Sequence, residues 1–352
     1  MRTLLTLLTC LLCASPLLAA TSYRIPAAEE RPEQLRVYGA ADLPTIRPVL
    51  EAFVRSQPSI AVNYTEFNTQ VLHTKLLKDY PYAPDLVMSS AIDLQFKLVN
   101  DGFAQPHQSD ETEALPRWAS WRHEIFGFTY EPAVLAVNTH LLGELPIPRS
   151  RAELLSLIRN NPELFRGRIG TFDIERVGAG YLTWSHDRQQ SGSYGRMLEA
   201  FGSHQARRFP SSAAMLEALS NGELVVAYNL LGSYAQAWEA THPEIRVIMP
   251  EDFTTLIMRT AFIPKYARHV RPARLFLDFL LSEQGQKLLA DHSHFYPVRE
   301  QLEGYETGSS LRQLTDSRFR PIPLDLSLLV MMDKAKKQLI LDEWEAAMKE
   351  LE

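Results

Sequence analysis

The sequence has 352 residues, 45% hydrophobic and 22% charged, with 16 glycines and 22 prolines. This globular composition excludes a disordered, collagen-like or coiled-coil chain, and the length exceeds what one domain usually holds. The 36 Lys and Arg against 42 Asp and Glu leave a net charge of −6, and no basic run stands out, so nucleic acid is not expected as a partner.

Met1-Arg2-Thr3 is a short basic start, Leu4 to Leu18 an apolar run, and Leu18-Ala19-Ala20 offers small residues for cleavage. The pattern predicts a secretory signal peptide over residues 1–20, too short in its apolar part to serve as a membrane span. Both cysteines, Cys10 and Cys13, lie inside this leader, and neither follows the small residue of a lipoprotein cleavage site, since Thr9 and Leu12 precede them. The mature chain is therefore expected to be exported to a compartment where disulfides could form, yet to be free of thiols. That excludes disulfides, a cysteine nucleophile and cysteine-ligated metals.

Leu35 to Tyr38 reads as a strand running into Gly39-Ala40-Ala41-Asp42. A helix follows, with Asp42 as N-cap, Pro44 in the first turn and Leu43, Ile46, Leu50 and Phe53 on one face. Ile60, Val62 and Tyr64 alternate as a second strand, and Asn68 caps a helix through Leu72 and Leu76. A third strand, Asp85 to Met88, ends in Ser89-Ser90 and leads to a helix stopped by Asn100-Asp101-Gly102. Strands alternating with helices imply a largely parallel sheet. Ligands bind at the carboxyl ends of such strands, which brings Gly39, Ala40, Asp42, Ser89 and Ser90 to one rim.

The pattern then restarts. Phe126 to Tyr130 and Ala133 to Asn138 are two β-prone stretches broken by Glu131-Pro132. Arg168 to Gly170 is a strand, and Val177 to Tyr181 leads into a helix. Leu224 to Tyr228 is a strand between a helix stopped at Asn221-Gly222 and a further helix beyond Asn229. Thr255 to Ile263 reads as a strand returning to the first lobe, followed by helices over 273–281 and 283–290. A last helix carries Ile340, Trp344, Ala347 and Leu351 on one face. The expected fold is α/β and two-lobed, with a ligand cleft between the lobes. Lobe 1 is residues 34–132 with 256–298, and lobe 2 is 133–255 with 299–352.

Val37 to Ala40, Pro84 to Val87, Leu135 to Thr139, Gly178 to Tyr181, Phe279 to Gln286 and Tyr296 to Arg299 form an ordered set. It resembles the periplasmic solute-binding proteins of ABC importers. The similarity is greatest to the branch with ferric-ion binders, sugar-phosphate binders and the phosphoglycerate transport regulatory protein. The resemblance implies a type II periplasmic binding fold with lobes joined by crossing strands. It further implies closure on a small solute, delivery to the permease subunits of an ABC transporter, and a monomer that needs no cofactor. An alternative role under the same resemblance is sensing, by docking on a two-component sensor histidine kinase. Ferric binding is the third. The ferric binders use adjacent tyrosines in the segment matching Tyr228 to Tyr234, and here only Tyr228 and Tyr234 remain, five residues between them.

Glu175 to Thr183 is the strongest ligand-contact segment. Gly178 and Gly180 permit close backbone approach, the helix through Ala179 and Tyr181 points N–H groups outward, and Arg176 offers a fork to a phosphate or carboxylate. It is not a dinucleotide fingerprint, since Thr183 stands where GxGxxG needs glycine. Tyr228 and Asn229, where another strand ends, complete the candidate set. An anionic organic or phosphorylated solute is expected on Arg176 and the helix ends, while Asp42, Glu66, Asp93 and Glu131 leave a cationic solute open. Asp291, His292 and His294 are read as a helix end rather than a metal site, and Trp118, Trp121, Arg122 and His123 as a lobe edge rather than a stacking wall. No GxSxG, HExxH or phosphate-loop motif occurs, so no enzymatic chemistry is expected.

Overall fold

A computed structural model describes residues 20–78, 84–300, 302–313 and 318–349, so the expected leader lies outside the described residues. One strand organises the molecule. Ile125–Asn138 runs unbroken, buried at every position, and belongs to two sheets in succession. Residues 126–132 pair antiparallel with Thr254–Phe262 in the first sheet, and residues 133–138 pair antiparallel with Val226–Leu231 and Ile245–Ile248 in the second. The expected break at Glu131-Pro132 does not exist. Pro132 lacks an N–H, but it stands where the strand leaves one sheet for the other, so the missing donor interrupts neither ladder.

The first sheet is parallel through Ile60–Glu66, Glu33–Gly39 and Leu86–Ser89. Thr254–Phe262 then inserts antiparallel between Leu86–Ser89 and the shared strand. The second sheet places Ile169–Phe172 parallel between Val226–Leu231 and Arg207–Phe209. Helices flank both sheets, and two α/β lobes result, as expected from the strand–helix alternation.

The apolar periodicity explains the flanking helices. Leu43, Ile46, Val49, Leu50 and Phe53 of Leu43–Ser56 are buried on the first sheet. In the second lobe Trp184 is fully buried among Phe201, Tyr228, Tyr194 and Trp344, with ring centroids 4.7 to 5.9 Å away. Trp344 belongs to the last helix, Lys334–Met348, which packs on Tyr194–Ser203. Leu351, expected on that face, lies outside the described residues.

The rest of the C-terminal segment does not accompany it to the second lobe. Arg312 of Gly308–Gln313 hydrogen-bonds the Tyr130 hydroxyl at 2.8 Å, Phe319–Pro321 pairs with Thr254–Leu256, and Ser327–Met331 packs on Ile92–Asn100. The described residues between 299 and 333 thus ride on the first lobe, and the chain crosses only beyond them. The hydrophobic residues of this segment, Phe319, Ile322, Leu324 and Leu328, complete the first core.

Candidate functional site

Where the two lobes meet there is a cavity of about 190 Å³. Ala40, Asp42, Glu66, Phe67, Asn68, Thr69 and Ser90 line it from the first lobe, and Phe172, Val177, Ala179, Pro210, Ser211, Ser212, Leu231 and Tyr234 from the second. Five helices begin at its wall: Leu43–Ser56, Thr69–Lys78, Gly178–Gln190, Ser212–Ser220 and Gly232–Glu239. First-turn amides have no partner within their own helix, so the wall is rich in N–H donors.

The first-lobe rim is shaped by Tyr64. Its hydroxyl donates to the Ala41 carbonyl at 2.5 Å, and its ring fills the space a Cβ on Gly39 would need. Only glycine fits there. Asp42 is the N-cap by position, but its side chain makes no capping bond; the Glu66 carboxylate accepts from the Leu43 amide at 2.9 Å instead. That frees the Asp42 carboxylate for the cavity. Burial raises its pKa against the pull of Arg259 and a hydrogen bond from Tyr234. Burial raises Glu66 too, with Asp42 adding repulsion and the Leu43 bond opposing.

Among the described residues, three bonds between the lobes frame the cavity. The Tyr234 hydroxyl accepts from the Asp42 amide at 3.2 Å, the Gly178 amide donates to Thr69 Oγ1 at 2.8 Å, and Asn68 Nδ2 donates to the Pro210 carbonyl at 3.4 Å. Thr69 of one lobe therefore caps a helix of the other. Burial pushes the Tyr234 phenol up to about 12, with Arg259 opposing. That guanidinium stands 5.6 Å from the Tyr234 ring, is fully buried, and donates to Glu131 of the shared strand at 2.7 Å. Ser233 Oγ donates to the second Glu131 oxygen at 2.5 Å. A buried ion pair at the crossover thus underlies the cavity.

Of the residues expected to bind ligand, Ala40, Asp42, Ser90 and Ala179 line the cavity. Gly39, Gly178 and Gly180 shape its surroundings without lining it. None of the three has positive φ, so space rather than backbone twist requires them. A Cβ on Gly178 would meet Leu94 Cδ1 at 2.7 Å and Ala91 Cβ at 3.1 Å across the lobe boundary, and one on Gly180 would strike Phe172.

Arg176 is a correction. Its side chain is 84% exposed and lies 3.6 Å from Asp173, outside the cavity, because the turn ahead of the helix carries it outward. Tyr181 turns to the C-terminal segment, donating to the Met331 carbonyl at 2.8 Å. Tyr228 and Asn229 are buried in the second lobe, both donating to Asp187 at 2.8 Å, while Arg151 donates to the Tyr228 hydroxyl at 2.7 Å. Ser89 is buried beneath the rim, accepting from the Ala91 amide at 3.2 Å. These residues occupy strand ends or helix starts, as expected, but side-chain direction turns them from the cleft.

Of the remaining acids, Glu131 is in the ion pair and Asp93 is buried outside the cavity. Asp291 accepts from Tyr305, and Trp118 and Trp121 pack on Tyr130 and Phe96. No group of three or more His, Cys, Asp or Glu among the described residues could hold a metal. The lining residues that sequence reasoning missed, Phe67, Asn68, Thr69, Phe172, Pro210, Ser211, Ser212 and Leu231, lie at strand ends or open helices. Ser211-Ser212 ahead of an apolar run was the readable signal.

Two α/β lobes sharing a strand around a cavity at their helix N-termini define a solute-binding protein of the periplasmic type. Residues 82–326 match the family described as bacterial extracellular solute-binding protein, and the chain belongs to that family. It is similar to the substrate binding protein of the ABC transporter from Agrobacterium tumefaciens, with 31% identity, a TM-score of 0.91, and coverage of 94% of this chain and 99% of that one. Fructose-6-phosphate-bound AfuA from Actinobacillus pleuropneumoniae has the same fold at 17% identity and TM-score 0.71, covering 90% and 98%. Iron-bound HitA from Pseudomonas aeruginosa has it at 18% and 0.70, covering 90% and 99%. No curated protein sequence matches the chain. No helix among the described residues is long and apolar enough to cross a membrane.

Proposed function

We propose that this protein, exported to the periplasm after cleavage near Ala20, captures a small organic solute between its lobes and closes on it. It then presents the solute to the permease of an ABC transporter. The observation that carries this reading is the cavity itself, walled by both lobes and bridged by Asp42–Tyr234 and Gly178–Thr69. A solute touching both walls favours their contact, which is how binding drives closure. The lobes are 34–132 with 256–298 and 133–255, hinged at Glu131-Pro132 and at residues 250–253.

The wall chemistry narrows the solute. No Lys or Arg among the described residues lines the cavity; the seats available to an anionic group on the ligand are the helix N-termini at Ala179, Ser211 and Ser212. Asp42 and Glu66 opposite accept from hydroxyl or amino groups. We assign the site to an organic anion, carboxylate or phosphate, that also carries such donors. Iron is disfavoured because Tyr234 is the tyrosine that reaches the cavity. Native mass spectrometry of protein purified from periplasm, followed by calorimetric titration of the released molecule, tests the reading. A ligand without an anionic group, or affinity unchanged in Asp42→Ala, overturns the assignment. A docking partner that proves to be a sensor kinase reassigns the role to signalling.

A further inference from the structure

Asp93 has no exposed surface, and neither carboxylate oxygen reaches a side-chain partner; only backbone amides of its own turn, Leu94 among them, favour its charged form. It lies in the first turn of Ile92–Asn100, a first-lobe helix that packs against the second-lobe helix Gly178–Gln190. The approach is close, because the missing Cβ of Gly178 faces Ala91 and Leu94, which flank this turn. Tyr181, in the first turn of the opposing helix, feels the Asp93 charge. A buried carboxylate without a partner is costly. Here part of the cover comes from the other lobe, so part of that cost arises only when the lobes meet.

We propose that Asp93 is a proton-sensitive brake on lobe closure, opposing contact of the lobes when ionised and permitting it when protonated. The inference rests on interlobe capture as the function. Burial pushes the carboxyl up to about 6, outweighing the Leu94 amide and the Lys337 ammonium, which pull it down. Parting of the lobes returns it toward the ordinary value near 4. The closed form therefore binds the proton more tightly. Its advantage is complete below the open-form value and is lost as pH rises through about 6.

Among the described residues, Lys337 is the cation on the surrounding elements that acts on Asp93. Gly178–Gln190 brings Tyr181; its His186, Asp187 and Arg188 are bonded to Thr255, Arg151 and Glu343. Thr69–Lys78 brings His73, which burial lowers to about 4 and leaves neutral, and carries Lys75 and Lys78 in its last turn, away from the Asp93 end of the facing helix. Lys337 of the last helix lies 4.8 Å from the Tyr181 ring. Lys97 of Asp93's own helix pairs with Asp101, Arg259 on the strand beneath is held by Glu131, and Ser327–Met331 has no titratable side chain.

The test is single-molecule fluorescence transfer between dyes on Arg47→Cys and Glu199→Cys, exposed positions on the two lobes, in the exported full chain from pH 7.5 to 4.5. The closing equilibrium of the wild-type background should rise about ten- to a hundredfold on acidification. With Asp93→Asn it should already stand near its acidic value at pH 7.5. Asp42 and Glu66 act with the same sign but are present in both proteins, so the difference belongs to Asp93. Superimposed curves overturn the inference and leave interlobe capture standing. A lobe spacing that never changes, with pH or with the periplasmic solute, overturns both. Carbon-13 titration of the Asp93 carboxyl in protein held closed by saturating periplasmic solute needs no substitution at this site: a midpoint near 6 supports the brake, and one near 4 overturns it.

Discussion

Gly178→Val separates the contact between the lobes from the folding of each lobe. A valine here places its Cβ 2.7 Å from Leu94 Cδ1 and 3.1 Å from Ala91 Cβ, and its branches reach further still. Leu94 can rotate away, but the Ala91 methyl is fixed to its backbone, so the two helices must part. Overpacking of this kind costs about 1 to 3 kcal/mol. Parting also breaks the Gly178–Thr69 bond, worth roughly 0.5 to 1.5 kcal/mol. Because φ at Gly178 is not positive, the open form suffers no backbone strain and takes little of this cost. Closure should therefore weaken by about tenfold to a thousandfold, with the melting temperature of the ligand-free protein changed little. Small-angle scattering with the periplasmic solute reads the outcome: the wild type contracts on binding, and Gly178→Val does not. A variant that contracts equally would show that these helices do not meet on closure. One that fails to fold would show that the contact belongs to the basic fold.

Arg176→Ala should leave solute affinity unchanged within twofold by calorimetry, since the side chain is exposed and outside the cavity; a tenfold loss would return it to the site. Glu131→Gln leaves Arg259 a buried cation without its counter-charge and should cost about 3 to 5 kcal/mol, seen as a melting temperature lower by roughly 10 °C; an unchanged temperature would mean that the pair is not buried in solution. Burial holds His186 down to about 4. The unfolded chain, near 6.5, then binds the proton first, and stability falls as pH drops from 6.5 toward 4, by roughly 3 kcal/mol at most. His186→Gln should flatten that part of the melting-temperature profile, and an equally steep profile would contradict its neutral burial.

The alternation of strands and helices was legible from local pattern, and so was the rim that carries Ala40, Asp42 and Ser90, because strand ends and helix starts are local properties. The direction of a side chain leaving such an end is not. Arg176 and Tyr181 flank the glycine turn in sequence, yet one faces solvent and the other binds the Met331 carbonyl, a residue 150 positions away. Tyr228 and Tyr234 looked equivalent as remnants of a tyrosine pair, but they lie on a strand and on the helix after it. Tyr228 points into the second core and Tyr234 across the cleft. The single strand through Glu131-Pro132 was hidden for a related reason. A proline argues against a central strand unless the strand changes sheets at that residue, and only the partners reveal that.

The insertion of Thr254–Phe262 between Leu86–Ser89 and the shared strand has a consequence for how the chain is made. Leu86–Ser89 and residues 126–132 emerge from the ribosome early, but the strand that joins them follows more than a hundred residues later. Until then the first sheet has two unpaired inner edges and an unfilled core, so the N-terminal lobe cannot close ahead of the C-terminal one. A nascent chain shorter than about 262 residues is thus not a folded lobe awaiting its partner. It is an incomplete sheet, which keeps the polypeptide from completing a lobe until almost three-quarters of it exists.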